Sequence, residues 1–412
     1  MRICVLVSLV VGAAVLCLAG CCYYAPRVTV RPEPGGRGQT LGTVPMRGQP
    51  PAGEPLVRVR LSTGSTAFLS SSQGMVLTAG SIRQSVGPNE VVGFRIADCR
   101  LQIADSRSPL AAVLRTAETL AVAPAGDGLV RVGDRSYRGR LLLFRSVDGD
   151  LAVVNVLGLE EYLLGVVPCE IGPINTGTLE AAKAQAVAAR SFTMTRLGKR
   201  QGLGHDLFDS YLRDQEYRGT ERETELSRQA VLATRGEVLE YHGEVCEALY
   251  HGNCGGVTAN GSQPYLRSVP DTPGHRRGRK AYCSDKPNFS WQVSIRKESL
   301  DAVASRLSGG KCRVRGCRLE TDRQSHRVKN LHLSTDRGSV RLPGSGFRMA
   351  MGLKSTGFTM AIRGSTVTFT GHGSGHGSGM CQDGAVGMAE AGASYKQILQ
   401  HYYSGVMLKR HY

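Results

Sequence analysis

The chain has 412 residues, a formal net charge of +17 at neutral pH and a hydrophobic content of 41%. This length suggests two domains or one large one, with a hydrophobic core large enough to be stable without disulfides or bound metals. The basic residues are scattered, and no helix-turn-helix, zinc-finger or aromatic RNA-binding pattern accompanies them, which argues against nucleic acid as a partner.

The first 21 residues have the pattern of an export signal. A short positive start precedes an almost wholly apolar run, and Leu18-Ala19-Gly20-Cys21 then resembles a lipobox. The run is too short for a comfortable transmembrane span. We therefore predict a lipoprotein signal peptide at 1–20 and lipidation of Cys21; cleavage without lipid and a retained anchor are the alternatives. A lipid anchor in the cell envelope, periplasmic or on the outer surface, would present the basic protein to an anionic wall polymer.

The remaining chain shows a change of pattern near residue 56. Residues 21–55 are rich in proline, glycine and arginine, which predicts a flexible tether. Residues 56–136 have the pattern of short strands with glycine and aspartate turns, and a hairpin is predicted around Asp148-Gly149-Asp150. Helices are predicted at 157–167 and 179–197. The pattern favours an α+β fold, a mixed, strand-rich, two-lobed domain with a few packed helices around a central cleft.

Twelve cysteines occur in the chain. Two would leave with the signal peptide and Cys21 would carry lipid, and outside the cytoplasm the other nine can form disulfides. The first predicted pair is Cys312 with Cys317, which are close enough in sequence to clip a loop, and the second is Cys254 with Cys283. Because nine is odd, at least one cysteine should stay free or pair between chains.

Glu170 is the first candidate for chemistry. It follows Pro168 and Cys169 at the predicted end of a helix, and Gly172-Pro173 then marks a loop. A carboxylate on a loop between two packed helices is well placed to line a cleft. If apolar neighbours desolvate it, its pKa rises and it can act as an acid near neutral pH. An exposed or helix-capping glutamate is the alternative interpretation.

Two glycine-punctuated loops carry further polar side chains. The run 371–382 contains His376 and Gln382, and its glycines allow backbone to approach a ligand closely, although a structural turn is an equal alternative. The run 250–256 contains His251 and Cys254. Neither a metal nor a Cys/His nucleophile pair is supported by the spacing, so we expect no metal site and no cofactor.

Five blocks, in order along the chain, resemble the stage II sporulation protein D and amidase-enhancer (SpoIID/LytB) family. The first ends in Val166-Val167-Pro168-Cys169-Glu170 and continues through the alanine-rich helix. The others lie at 230–237, 250–256, 264–269 and, as the last block, 375–382 followed by 395–403. The resemblance places the boundary at residue 137, with a SpoIID/LytB-like catalytic region at 137–412 after the strand-rich region at 56–136.

The resemblance implies a lytic transglycosylase, which cleaves between N-acetylmuramic acid (MurNAc) and N-acetylglucosamine (GlcNAc) in peptidoglycan glycan strands stripped of stem peptides. The family's essential glutamate corresponds to Glu170, which would act as the single acid/base and leave 1,6-anhydro-MurNAc ends. Substrate-binding roles are implied for Gln185, Arg190, Tyr250, His251, His376 and Gln382.

The chain departs from the family pattern at several positions. Cys169 and Cys381 replace serines, and Asp383 stands where tryptophan is usual, which weakens the case for a stacked sugar there. The stretch 205–215, where some members bind zinc, has no cysteine, so no zinc is expected in it. The alternative function is a non-catalytic amidase enhancer, which would bind the wall and an N-acetylmuramoyl-L-alanine amidase as its partner.

Overall fold

The computed structural model describes residues 51–104 and 118–412. The predicted signal peptide, the lipidation site Cys21 and nearly all of the predicted tether lie outside the described residues. Within the described part, no helix is both long and apolar enough to cross a membrane.

The chain has the mixed α+β fold that the sequence predicts, with seven α-helices and 23 strands in the described ranges. The helices are α1 (Leu159–Glu170), α2 (Leu179–Met194), α3 (Glu225–Ala233), α4 (Lys297–Ser308), α5 (Gly344–Met351), α6 (Gln382–Glu390) and α7 (Tyr395–Tyr402).

Two large sheets form the first half of the molecule. The seven-stranded sheet consists, in spatial order, of β12 (Leu207–Phe208), β1 (Leu56–Arg60), β11 (Leu151–Gly158), β10 (Arg140–Arg145), β7 (Thr119–Pro124), β3 (Met75–Ala79) and β4 (Ile82–Val86). The five-stranded sheet consists of β6 (Arg100–Ile103), β5 (Val92–Ala97), β2 (Thr66–Ser70), β8 (Val130–Val132) and β9 (Arg135–Tyr137). Strands from both sides of residue 137 share the larger sheet, so the division there stays a prediction.

Four smaller sheets complete the strand pairing. They are β14 (Glu244–Val245) with β13 (Glu237–Tyr241) and β23 (Met407–Arg410); β15 (Tyr250–His251) with β22 (Met380–Cys381); β16 (Ser290–Arg296) with β21 (Thr366–His372) and β20 (Phe358–Arg363); and β17 (Val314–Thr321) with β18 (Val328–Thr335) and β19 (Gly338–Pro343). The hairpin predicted around Asp148-Gly149-Asp150 is present, with β10 and β11 as its strands.

The buried apolar residues of the described chain form two main cores. The larger one joins the two large sheets to α1, α2, α6 and α7. The smaller one lies within residues 291–369 and includes Trp291, Phe347 and Phe369. These two cores give the chain two lobes.

Helix α2 is the centre of the larger core. Six of its alanines, together with Gln185 and Arg190, have no exposed surface. Small side chains allow neighbouring helices to approach closely, and α1, α3, α6 and α7 all pack against α2. The alanine-rich segment is therefore covered by other helices on several sides.

Candidate active site

Glu170 is the last residue of α1, and only 2% of its surface is exposed. The prediction that the helix ends before Pro168 is wrong, because α1 continues through this proline to Glu170. A proline in the last turn removes only the hydrogen bond to the carbonyl four residues earlier, which is a small loss at a helix end. Glu170 is therefore held on a rigid helix and not on a loop.

Three donors from other parts of the chain surround the Glu170 carboxyl. The backbone N–H of Glu216 donates to Oε1 at 2.8 Å, and Nε2 of Gln382 donates to Oε2 at 3.3 Å. The hydroxyl of Tyr250 also hydrogen-bonds with the carboxyl. Since Nε2 of Gln215 donates to the Tyr250 hydroxyl at 2.8 Å, that hydroxyl is free to donate its own proton to Glu170.

The short parallel pair β15–β22 brings two of these donors together. Tyr250 is paired with Met380, and His251 is paired with Cys381. Gln382 follows directly as the first residue of α6. A two-residue ladder thus places Tyr250 and Gln382, which are far apart in sequence, on the same carboxyl group.

A close helix–loop contact positions the Glu216 N–H. Gly165 lies in the middle of α1, and a Cβ there would come within 2.4 Å of the Gly219 carbonyl oxygen and 2.7 Å of the Tyr217 ring. Gly219 itself has a φ of 61°, which favours glycine. The loop therefore packs closely on the helix at Gly165, about one and a half turns before Glu170.

Burial is the main influence on the ionisation of Glu170 and raises its pKa to about 7. The donors from Glu216, Gln382 and Tyr250 oppose this shift because they stabilise the charged form. Within the described residues, Glu170 has no hydrogen bond with a second carboxyl; the Glu216 side chain accepts from Nε of Arg218 at 2.8 Å instead. A carboxyl with this pKa can donate and accept a proton near neutral pH.

Gln185 lies beside Gln382 and belongs to the same group. Its Oε1 is 3.5 Å from Nε2 of Gln382, and it is completely buried. Its own Nε2 is buried and has no hydrogen-bond partner within the described part of the chain. An orphaned amide next to a catalytic candidate is a group that a bound ligand could satisfy.

His251 and His376 lie behind Tyr250 as neutral rings. Nε2 of His376 bonds to the Tyr250 carbonyl at 2.9 Å, while its Nδ1 accepts from the Ser378 N–H. Burial and the nearby Arg327 and Arg348 lower the pKa of His376 to about 3, and burial lowers the pKa of His251 well below its usual range. These contacts brace the β15–β22 pair and do not reach the Glu170 carboxyl.

Arg190 lies apart from this group. Its guanidinium is completely buried, and its Nε and Nη2 donate to the two carboxylate oxygens of Glu160 at 2.8 and 2.7 Å. It also donates to the backbone carbonyl of Glu237 at 3.0 Å. This bidentate ion pair joins α1 to α2 and accounts for Arg190 without a substrate.

The residues that sequence reasoning missed are Gln215 and Glu216. Gln215 accepts from the hydroxyls of Tyr162 and Thr193 and donates to Tyr250, so it fixes the aromatic hydroxyl beside Glu170. Glu216 contributes its backbone N–H. The Gln-x-Tyr-x-Gly pattern at 215–219 was the signal that could have identified them.

The predicted disulfide cysteines are unbonded in the structure. The sulfurs of Cys254 and Cys283 lie 3.5 Å apart, well beyond the about 2.05 Å of a disulfide bond. Cys312 is buried and Cys317 is half-buried. Both pairings stay predictions.

Comparison with known proteins identifies relatives of the chain. The model of the SpoIID family, described as stage II sporulation protein, matches residues 147–241, which include Glu170, Gln185 and Glu216. An uncharacterized protein of Brachyspira hyodysenteriae is 33% identical over 284 residues, which are 68% of this chain and 74% of that protein.

Two proteins of Bacillus subtilis are also similar. Its stage II sporulation protein D is 28% identical over 316 residues, covering 71% of this chain and 81% of that protein. Its amidase enhancer is 29% identical over 297 residues, covering 60% of this chain and 40% of that protein. The chain belongs to the SpoIID/LytB family.

Proposed function

We propose that the chain is a lytic transglycosylase of the cell envelope, exported and lipid-anchored through Cys21. It cleaves the MurNAc–GlcNAc bond of peptide-free peptidoglycan strands. The observation that carries the proposal is the setting of Glu170, a buried carboxyl with a pKa of about 7 among three donors from separate segments. Membership of a family that includes a stage II sporulation protein D supports the same assignment.

The proposed reaction uses Glu170 twice. The protonated carboxyl first gives its proton to the glycosidic oxygen while the bond from C1 of MurNAc to that oxygen breaks. The resulting carboxylate then takes the proton of the MurNAc C6 hydroxyl, whose oxygen bonds to C1. The products are a free GlcNAc hydroxyl and a 1,6-anhydro-MurNAc end. Glu170 ends protonated, and no water is consumed.

The surroundings of Glu170 suit a single group that alternates between acid and base. Ordinary glycosidases use two carboxyl groups, one of which activates water or attacks the sugar. In the proposed reaction the substrate's own hydroxyl replaces the water, which agrees with the engagement of the Glu216 side chain by Arg218. The donors from Glu216, Gln382 and Tyr250 would stabilise the carboxylate formed between the two steps.

The substrate side of the proposal rests on Gln185 and Gln382. The orphaned Nε2 of Gln185 is the donor we assign to a substrate oxygen. Because only 2% of Glu170 is exposed, a glycan strand must displace part of its cover before the glycosidic oxygen meets the carboxyl. Arg190, His251 and His376 are proposed to act through packing and not by contact with sugar.

The test is digestion of purified peptide-free glycan strands by the wild type and by Glu170→Gln. We expect 1,6-anhydro-MurNAc products from the wild type and a loss of at least about 100-fold in the variant, since amide cannot transfer the proton. The rate should also decline as pH rises above about 7. Glu161→Gln, a change of the same kind on α1, is the matched control and should keep its activity. Equal product from Glu170→Gln would refute the role of Glu170.

The alternative function is a non-catalytic amidase enhancer. The similarity to the amidase enhancer of Bacillus subtilis favours it, although the match covers 40% of that protein. In this case the chain would release no anhydro product alone and would raise the rate of a wall amidase in a mixed assay. Glu170→Gln would then enhance the amidase as well as the wild type does.

A further inference from the structure

Four side chains with metal-binding atoms converge in the larger core, next to the candidate active site. They are Cys254, Asp271, Cys283 and Cys381, and their ligand atoms all lie within 4.8 Å of one another. Each is between 0 and 4% exposed. Three thiols and a carboxyl are costly to bury together in their charged forms unless a cation or hydrogen bonds balance them.

The spacing of the ligand atoms fits a tetrahedral ion. With zinc–sulfur bonds of about 2.3 Å, two sulfurs in a tetrahedral site lie about 3.8 Å apart. The sulfurs of Cys254 and Cys283 are 3.5 Å apart, close to this value and far from a bonded disulfide. The group needs only small movements to close on an ion of this size.

Backbone and side-chain donors already orient the four groups. The N–H groups of Cys254 and Gly384 donate to the Cys381 sulfur at 3.2 and 3.3 Å. The Cys283 N–H donates to one oxygen of Asp271 at 3.0 Å, and the Tyr402 hydroxyl donates to the other at 2.5 Å. Donors of this kind hold ligands in place around a metal, and each carboxylate oxygen keeps a second lone pair.

Gly384 allows the backbone at the beginning of α6 to lie close to the four candidate ligands. A Cβ at Gly384 would lie 2.2 Å from the Tyr402 hydroxyl and 2.5 Å from an Asp271 oxygen. This close approach permits the Gly384 N–H to reach the Cys381 sulfur. The first turn of α6, the Asp271 segment and Tyr402 of α7 therefore meet at one point.

We propose that Cys254, Asp271, Cys283 and Cys381 bind one zinc ion as a closed, structural site. Three thiolates and one carboxylate supply four protein ligands and leave no open position, as in structural zinc sites. The sequence predicts no metal site because its cysteine and histidine spacing matches no metal-binding motif. The four proposed ligands come from distant segments, and Cys254 and Cys381 are 127 positions apart. A Cys254–Cys283 disulfide would use two of the same sulfurs, so the two hypotheses exclude each other.

The proposed ion would hold the start of α6. Cys381 directly precedes Gln382, which donates to Glu170. Because Cys381 ends β22 and precedes α6, a zinc ion bound to Cys381, Asp271 and Cys283 would link the beginning of α6 to the segment that contains Asp271 and Cys283. In this position it supports the catalytic candidate without contacting it.

The test is the metal content of the full chain, purified from zinc-supplied cells in a reducing buffer without chelator. We expect about one zinc per chain by elemental mass spectrometry, and less than about 0.1 in Cys254→Ser and Cys381→Ser. Cys246→Ser is the matched control, since Cys246 is a buried thiol outside the group, and it should keep its zinc. Wild-type protein reloaded with Co²⁺ should show thiolate-to-cobalt absorption, a readout that does not depend on how the variants fold.

Three outcomes would overturn the proposal. Folded wild-type protein could contain no zinc and give no cobalt absorption after reloading. Peptide mapping of a second preparation, purified without reductant and with free thiols blocked at lysis, could show a Cys254–Cys283 disulfide. Zinc could also remain at full content in both folded serine variants, which would place the ion elsewhere.

Discussion

At the scale of single residues, the Glu170 carboxyl experiences two opposed influences. Burial favours its neutral form, while the Glu216 N–H, the Gln382 amide and the Tyr250 hydroxyl favour the carboxylate. Burial prevails, and the pKa of about 7 leaves both forms populated near neutral pH. Burial of the neighbouring Cys169, together with its proximity to Glu170, raises the pKa of the Cys169 thiol to about 12. This thiol therefore stays protonated and is a poor nucleophile.

The raised pKa of Glu170 should make the protein less stable as pH rises. The folded state binds this proton more tightly than the unfolded state, where the pKa is 4.5, so stability is lost between about pH 4.5 and 7. Glu170→Gln removes the titrating group. Its free energy of unfolding relative to the wild type should therefore increase by about 3 kcal/mol between about pH 4 and pH 8.

Urea unfolding of both proteins across this pH range measures the difference. Glu161→Gln, a change of the same kind on the same helix, provides the baseline for a glutamate that is not completely buried. A constant difference between Glu170→Gln and the wild type at all pH values would show that Glu170 ionises normally and would weaken its assignment as an acid near neutral pH.

The candidate residues differ in how far the sequence could predict them. Glu170 and Gln382 carry their chemistry in the side chain, and the structure brings them within 3.3 Å. Glu216 contributes a backbone N–H, which every residue except proline possesses, so its side chain is no guide to its role. Arg190 was assigned to substrate by resemblance, yet a buried pair with Glu160 occupies its guanidinium.

At the scale of elements, the candidate site depends on close packing between α1 and the loop at 215–219. Gly165 permits the contact because a Cβ at this position would lie within 2.4 Å of the Gly219 carbonyl oxygen and 2.7 Å of the Tyr217 ring. The buried Glu160–Arg190 pair then joins α1 to α2 at 2.7 Å, and removal of either partner would leave an uncompensated buried charge. The orientation of Glu170 is thus determined by three elements together.

Gly165→Ala should displace the 215–219 loop. The new methyl group would lie 2.4 Å from the Gly219 carbonyl oxygen, a distance that requires the loop to move. We expect a loss of about 1–3 kcal/mol of stability and a larger relative loss of glycan cleavage, because the Glu216 N–H moves away from Glu170. Thermal melting and the glycan digestion assay measure the two effects.

Gly346→Ala is the matched control for this prediction. Gly346 lies in α5, and a Cβ there meets no other atom within 4 Å. The same substitution should therefore stabilise the protein by about 0.5–1 kcal/mol, through reduced freedom of the unfolded chain. If Gly165→Ala were equally stabilising, the helix–loop contact would not be as close as described.

The sequence was a good guide to which elements form and a weaker guide to where they meet. The alanine-rich helix α2 and the hairpin at residue 149 follow from periodicity and turn residues. The sequence predicts that α1 ends at Val167, whereas α1 continues to Glu170, because a proline in the last turn of a helix costs little stability. The convergence of Cys254, Asp271, Cys283 and Cys381 is set by tertiary packing of distant segments, which no local pattern contains.

At the scale of the whole molecule, the larger core contains residues from both sides of the predicted boundary at residue 137. Strand β11 lies between β10, which follows the boundary, and β1, which precedes it, and all eight residues of β11 are buried. The strands β3, β4 and β7 of the same sheet also precede the boundary. The N-terminal strands therefore complete the sheet from which α1 and Glu170 emerge.

Residues 137–412 expressed alone should fail to fold cooperatively. Removal of β1 leaves one edge of β11 without its backbone partner, and the lost strands uncover apolar residues such as Val153 and Leu157. We expect the fragment to bind a hydrophobic dye, to melt without a sharp transition and to be cleaved rapidly by protease, whereas residues 51–412 should behave as the full chain does. A sharp melting transition of the fragment at the temperature of 51–412 would instead establish residues 137–412 as an independent domain, with the preceding strands as an accessory layer.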